Sequence, residues 1–305
     1  MSQFPPFGPQ DEPPGWPQGY PPAGQPAYPG PATPRFDPAD PLVSADFAGW
    51  WRRGFAVVRR GWQPLLLIQV YALVAALALM IPAQILFNLS TRDATVDSTA
   101  IASAVYGLAA VLVALIYSIA TLAAVRLVVT VATGGQAHVG PAVRAVLPRV
   151  LPMIGWSLLA GLVIFAGLCA CVVPGLYLGA VFVVLPAVVL FEPGEAISRC
   201  FRLFHNDFGA AVARTATIVG LLFGITLIFA ALSGVVTLIT LGSVFADPAA
   251  VVGTGALVTD AVLGSILNLT SSLIAGVVLT PLVVATYADL RARREPFSTA
   301  YLPAA

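Results

Sequence analysis

The sequence predicts an all-α, polytopic membrane protein with six transmembrane helices, and three observations support this. Of its 305 residues, 58% are hydrophobic and only 10% are charged, whereas a soluble domain carries roughly 25% charged residues. The hydrophobic residues are concentrated in runs close to the length of about 20 that a helix needs to cross hydrocarbon. All fifteen cationic residues are arginines, and they cluster between those runs. A water-soluble surface cannot be built from this composition.

Residues 1–41 form a tail of different character, rich in proline and glycine. The tail holds fourteen of the 26 prolines of the chain, and proline removes backbone donors and interrupts helices and sheets. Too little aliphatic surface remains to offset the entropy of ordering, so we expect a disordered cytoplasmic tail with polyproline II character. It is either simply solvated, which the composition favours, or it is a docking tail for a proline-binding domain or a self-associating segment, with aromatics such as Trp16 and Tyr20 interspersed.

Residues 42–295 are predicted to form the transmembrane domain, and 296–305 a short C-terminal tail. The predicted spans are about 65–87, 102–122, 152–173, 175–191, 215–236 and 266–287. The fourth span is short and contains Pro186, which we expect to bend it.

The arginines predict the orientation of these spans. Besides Arg35 in the tail, thirteen of them lie before span 1, between spans 2 and 3, between spans 4 and 5, or after span 6, and only Arg92 lies on the opposite side. Positive residues accumulate in cytoplasmic segments. We therefore expect a multi-pass protein of the inner or plasma membrane with both termini in the cytoplasm.

A basic amphipathic segment precedes each span that leaves the cytoplasmic side, namely 47–63, 139–150 and 194–206. Apolar residues recur at helical spacing in each segment, with arginines on the other face. Such helices lie in the headgroup layer, where arginine meets anionic lipid. The chain is thus predicted to consist of three units, each an interfacial helix followed by two spans. The candidate lipid-headgroup contacts are Arg52, Arg53, Arg59, Arg60, Arg144, Arg149, Arg199 and Arg202.

The polar residues do not form a recognisable catalytic, cofactor or metal pattern, which favours a protein that is not an enzyme. Cys169 and Cys171 are two apart on a predicted helix, so their side chains point away from each other. His205 and Asp207 could form an acid–base cluster, but no nucleophile, metal set or phosphate loop accompanies them. We interpret them as interfacial residues between an amphipathic helix and span 5.

Two further features lie within the last two spans. The most polar cluster inside a span comprises Asn268, Thr270, Ser271 and Ser272. It either lines a substrate site or, as we favour, forms hydrogen bonds between helices. Gly220 and Gly224 have the spacing of a close-packing motif, which we expect to contact a neighbouring span of the same chain, with homo-oligomerisation as the alternative.

One stretch, Pro174–Gly209, carries a family resemblance. Its distinguishing residues are Pro174, Gly175, Tyr177, Pro186, Glu192, Arg202, Leu203 and Phe208. In this order the stretch resembles the membrane domain associated with some glycerophosphoryl diester phosphodiesterases, and related uncharacterised six-span proteins of actinobacteria. It departs from that pattern at Gly179–Val181, where a basic residue is common, and at Cys200-Phe201, where Ser-Trp is common.

The resemblance implies a fold and not an activity. The phosphodiesterase domain itself is absent, because no soluble stretch is long enough for a barrel of roughly 250 residues. We therefore expect a non-enzymatic membrane scaffold or accessory component that contacts anionic lipid, without a cofactor and without nucleic acid. The alternative is a transporter or lipid-handling protein with a site between spans 5 and 6.

Overall fold

The structure is a computed structural model that describes residues 37, 39–93, 96–246 and 253–302. Most of the predicted proline-rich tail lies outside the described residues. Within them the chain is helical and contains no strand, and every one belongs to a single compact unit within Pro34–Ala305. The α-helices are α1 (Phe47–Asp93), α2 (Val96–Ala132), α3 (Val139–Ala170), α4 (Val172–Phe182), α5 (Leu185–Phe191), α6 (Ala196–Asn206), α7 (Phe208–Ala246) and α8 (Thr254–Ala292).

Six stretches of the described chain are long and apolar enough to cross a membrane, which confirms the six-span prediction. They are Phe47–Ser90, Asp97–Ala132, Val139–Ala170, Val172–Phe191, Phe208–Gly242 and Thr254–Ala292. The fourth consists of α4 and α5 together, with a break at Val183–Val184 just before Pro186. At about 1.5 Å per residue its 20 residues extend for about 30 Å, which matches the hydrocarbon thickness.

The long helices pack side by side in a row, and two short helices connect the first and last helices of that row. The main contacts follow the order α7, α8, α1, α2, α3, α4, and α1 packs most extensively on α8 and α2. The short helices α5 and α6 bridge the two ends of this row, because they contact α3, α4, α7 and α8. Helices α5 and α6 lie at the end of the bundle where α1 begins and α8 ends. We call it the arginine-rich end.

The three amphipathic segments are helical, but only the third is a helix of its own. Segments 47–63 and 139–150 run without a break into their spans as parts of α1 and α3. The reason is that the bundle covers the apolar face of the first segment: Trp50 and Val57 are buried, and the Trp50 indole N–H donates to Thr286 Oγ1 of α8 at 3.1 Å. Helix α6 is separate from the span that follows because the backbone leaves the helical conformation at Asp207 (φ −140°, ψ 81°), before α7 begins at Phe208.

Glycines of α1 and α8 allow these two helices to approach each other closely. Gly54 faces Leu282, and Gly276 faces the side chain of Gln69, so that α1 and α8 pack tightly. The predicted packing of Gly220 and Gly224 against a neighbouring span is not seen within the described residues, where a Cβ at either glycine would meet no atom within 4 Å. The face of α7 that carries these glycines points away from the described bundle, whereas Ile218 of the same helix is buried in it.

Candidate functional site

A break in the chain positions the first group of polar side chains, at the arginine-rich end. Helix α5 ends at Phe191, and Glu192 follows it with extended backbone (φ −120°, ψ 130°). Gly194 has φ +117°, a conformation that side chains with a Cβ rarely adopt. The turn reverses the chain before α6 begins at Ala196, and it places the Glu192 carboxylate beside Arg199 on the first turns of α6.

Glu192 is the centre of an ion-pair cluster that joins α5, α6 and α8. Its carboxylate forms a salt bridge with Arg199, and the Tyr287 hydroxyl donates to Glu192 Oε1 at 2.7 Å. Arg291 donates to the Tyr287 hydroxyl at 2.9 Å. Glu295 pairs with Arg291 and, at 2.9 Å, with Arg199. Two carboxylates and two guanidiniums thus share one hydrogen-bonded network.

The pKa values in this cluster reflect the pairing. Burial alone lowers the pKa of Arg199, but the hydrogen bond and charge of Glu192 outweigh it and raise that pKa above its ordinary value. Burial alone raises the pKa of Glu295, but its hydrogen bond with Arg291 and the charge of Arg199 outweigh it and lower that pKa. Both groups are therefore charged at neutral pH, and the network is ionic.

A second ion-pair cluster lies more deeply between α7 and α8. Arg214 Nη2 is 2.8 Å from Asp289 Oδ2, and the two side chains are 3% and 0% exposed. Arg293 pairs with Asp289 at 3.2 Å and also with Asp207, the residue just before α7. Arg293 further donates to the backbone oxygen of Ala45 at 2.7 Å. The C-terminal end of α8 is therefore tied to α7 and to the segment that precedes α1.

The arginines predicted to contact lipid separate into two groups. Arg199 is engaged with Glu192 and Glu295, so its charge holds the bundle together. Arg53 and Arg149 are half-buried, and Arg53 donates to the Asp40 backbone oxygen at 2.6 Å. The remaining candidates are exposed and form no ion pair within the described residues. They are Arg52, Arg59, Arg60, Arg144 and Arg202.

The residues that suggested acid–base chemistry do not form a common site. Glu192 pairs with Arg199, Asp207 pairs with Arg293, and His205 Nε2 lies 2.7 Å from the Tyr177 hydroxyl. Burial raises the pKa of the Cys200 thiol to about 12, which leaves it protonated and unreactive as a nucleophile. Within the described chain, no group of three or more His, Cys, Asp or Glu side chains is arranged to hold a metal ion.

The N-terminal and C-terminal segments of the membrane domain contact each other, so the packed domain extends beyond its predicted boundary on each side. Asp40, assigned to the disordered tail, is buried, and it accepts hydrogen bonds from the Thr299 backbone N–H at 2.7 Å and hydroxyl at 2.5 Å. Leu42 and Leu302 are buried nearby in the same core. Burial alone raises the pKa of Asp40, but the Thr299 hydrogen bonds outweigh it and lower that pKa.

The second candidate site is a cleft between α7 and α8, with a cavity of about 730 Å³. Asn268 and Ser271 from the predicted polar cluster lie on its wall, whereas Thr270 and Ser272 lie outside its lining. The opposite wall is α7 from Thr226 to Leu238. This cleft corresponds to the site between spans 5 and 6 that the transporter or lipid-handling hypothesis predicts.

A smaller cavity of about 320 Å³ adjoins the cleft on the side away from the arginine-rich end. Asn268 and Ser233 line both cavities. Residues of α1 and α2 complete the smaller one, with Gln84 and Tyr106 on its wall, and Asp260 supplies a carboxylate. Asp260 lies before the sixth predicted span, so hydropathy does not indicate it as a site residue.

The fold and these two polar regions define a multi-pass helical membrane protein. Comparison of the chain with protein-family models, curated proteins and solved structures found no match. The resemblance to the membrane domain of glycerophosphoryl diester phosphodiesterases therefore stays a prediction.

Proposed function

We propose that the protein is a non-enzymatic scaffold or accessory component of the cell membrane, with its arginine-rich end in the cytoplasm against anionic lipid headgroups. The division of the arginines carries this proposal. Arg199, Arg214, Arg291 and Arg293 neutralise the carboxylates of Glu192, Asp207, Asp289 and Glu295. Further arginines at the same end are exposed and make no such pair within the described chain. Their uncompensated charge is what an anionic surface attracts.

Lipid-dependent stability of the purified full chain tests this proposal. Anionic phosphatidylglycerol, added to protein in a neutral detergent, should raise the Tm more than phosphatidylcholine does, because a ligand that binds the folded state stabilises it. The triple variant R59Q/R60Q/R144Q should lose most of this difference. The control is R92Q, which removes one charge at the far end of α1. Equal responses of all three proteins to phosphatidylglycerol would contradict the proposal.

Orientation needs a separate measurement. In a variant without native cysteines, a cysteine introduced at Arg52 should resist an impermeant maleimide in intact cells and react after the membrane is opened. A cysteine introduced at Asp97, on the opposite side of the bundle, should react in intact cells. The reverse pattern would place the arginine-rich end outside.

The α7–α8 cleft favours a second candidate function, in which the protein binds or moves a membrane amphiphile. Asn268 lines both cavities and Thr270 lines neither, so the two residues form a matched pair. In vesicles containing the purified chain, N268A should reduce transbilayer movement of a fluorescent lipid while T270A leaves it unchanged. If the wild-type chain moves no more lipid than empty vesicles, this candidate fails.

A further inference from the structure

Asp260 supplies the only carboxylate on the described walls of the two adjoining cavities. The smaller cavity has walls from α1, α2, α7 and α8, and its other polar lining residues are neutral amides and hydroxyls. No arginine lines either cavity within the described residues. Acidic side chains that face a cavity between the helices of a membrane protein mark ligand or ion sites, and Asp260 faces such a cavity.

Two threonines of α7 hold this carboxylate in position. The Thr237 hydroxyl donates to Asp260 Oδ1 at 2.9 Å, and the Thr240 hydroxyl, 3.1 Å from the same oxygen, is also 2.9 Å from the backbone oxygen of Val236. Among the described residues, no hydrogen bond reaches Oδ2. The side chain is half-buried and lines the cavity. One oxygen thus fixes the orientation of the group, and the other is available to a ligand.

The cleft next to Asp260 has a different lining. Phe229, Val235 and Leu238 contribute apolar surface, and Asn268 lies where the cleft and the smaller cavity meet. A ligand that occupies both spaces must therefore be apolar at one end. At the other end it must satisfy a carboxylate.

We infer that the two cavities together bind an amphiphilic monocation, with its ammonium group at Asp260 and its apolar body between α7 and α8. This inference rests on the cleft being a binding site, as in the second candidate function. Charge complementarity selects the occupant. A phosphate-bearing headgroup would bring negative charge toward Asp260, with no cation on the described walls to compensate for it.

The remaining polar residues suit such a headgroup. The side-chain carbonyl oxygens of Gln84 and Asn268 can accept hydrogen bonds from a primary ammonium. A quaternary ammonium donates no hydrogen bond, but the ring of Tyr106 offers it a cation–π partner. Both kinds of headgroup gain most from the carboxylate, which supplies the opposite charge.

Photolabelling of the full chain in liposomes of neutral lipid tests the inference. The probe is a dodecyl chain that carries a diazirine and a trimethylammonium headgroup, and its partner probe carries the neutral tert-butyl isostere. The cationic probe should label α7 and α8 around the cleft about tenfold more than the neutral probe, the effect of a modest ion-pair preference. D260N should abolish that preference, and D97N, which removes an exposed acidic group outside both cavities, should keep it.

Two further variants keep the test decisive. Q84E adds a carboxylate to the same cavity and should increase cationic labelling even if D260N folds poorly. G234L places a side chain in the cleft, where a Cβ at Gly234 meets no atom within 4 Å, and should reduce labelling by both probes. Equal labelling by the two probes, unchanged in D260N and Q84E, would overturn the cation assignment but leave the cleft function intact. Absence of labelling near the cleft by either probe would overturn both.

Discussion

The two ends of the bundle are held together in different ways. At the arginine-rich end, buried ion pairs and hydrogen bonds join α5, α6, α7 and α8 to each other and to the start of α1. At the opposite end, a cleft opens between α7 and α8, and the smaller cavity beside it has walls from α1, α2, α7 and α8. In the most apolar part of the α4–α5 span, 44% of the residues are buried, whereas in the most apolar part of α7 only 6% are buried. The molecule thus combines a tightly fixed end with a loosely packed end that can admit a ligand.

Helix α8 contains one acidic residue at each of the two ends of the bundle. Substitutions in this one helix can therefore compare the stability of the two ends. Asp289 is fully buried in the deep ion-pair cluster, and Asp260 is half-buried beside a cavity. Substitutions at the two positions remove the same charge from the same helix. The expected loss of stability falls from D289N through Y287F to D260N.

The largest effect is expected for D289N. This substitution leaves the Arg214 guanidinium buried without its partner, and breaking a buried pair typically costs about 3–5 kcal/mol. The double variant R214L/D289L should recover most of the loss, since apolar replacement of both partners removes the buried charge. The measurement is the Tm of the purified chain followed by tryptophan fluorescence. A D289N Tm equal to that of the wild type would contradict a stabilising role for the cluster.

An intermediate effect is expected for Y287F. This substitution removes the hydroxyl that donates to Glu192 and accepts from Arg291, and a hydrogen bond to a charged group contributes about 1.5–3 kcal/mol. Tyr71 is 63% exposed, so Y71F makes the same chemical change where little is lost. Thermal unfolding of the two variants in one detergent compares them. Similar losses in both would show that the Glu192 cluster does not stabilise the fold.

The ion-paired end also predicts how stability depends on pH. Despite their burial, the pKa of Glu295 and of Asp207 is lowered in the folded state by hydrogen bonds and by nearby arginines. A lowered folded pKa adds stability above the ordinary values of 4.5 and 3.8, and the contribution is lost as the pH falls through the folded values. The Tm should change little between neutral pH and about pH 5 and fall below about pH 4. A Tm that rises in acid would contradict this.

The smallest loss of stability is expected for D260N. Asparagine keeps a side-chain oxygen that can accept from Thr237 and Thr240, and the site is partly exposed, so the cost should stay below about 1 kcal/mol. The same thermal measurement applies, with D289N as the reference. If D260N lost as much stability as D289N, Asp260 would be a structural residue. That result would contradict the claim that its end of the bundle is loosely packed.

The sequence predicted the fold better than the sites, for physical reasons. Hydrophobic length alone identifies spans, so the six spans could be located. Ion pairs such as Arg214–Asp289 join residues far apart in sequence. In the sequence, neither residue can be distinguished from an unpaired charged residue at the membrane interface. The i, i+4 spacing of Arg291 and Glu295 was the available signal that the end of α8 carries paired charges.

The cleft was partly predictable and the packing glycines were not. Asn268 was selected because polar residues are rare within spans, and it lines both cavities. Asp260 falls before the sixth predicted span because helix α8 continues well beyond the hydrocarbon length of that span. The spacing of Gly220 and Gly224 suggested close packing, but close approaches in the described chain occur at other glycines, Gly54 and Gly276 among them, because a sequence spacing does not specify which helix lies opposite.

Hydrogen–deuterium exchange of the full chain in nanodiscs tests most directly that one end is fixed and the other loose. The backbone amides of 197–206 and 286–292, at the arginine-rich end, should be protected for hours, because their opening requires ion pairs to break. The amides of 236–242 and 256–262, near the cavities, should exchange much faster, and addition of an alkyltrimethylammonium should slow them. Faster exchange at the arginine-rich end than beside the cavities would contradict this account.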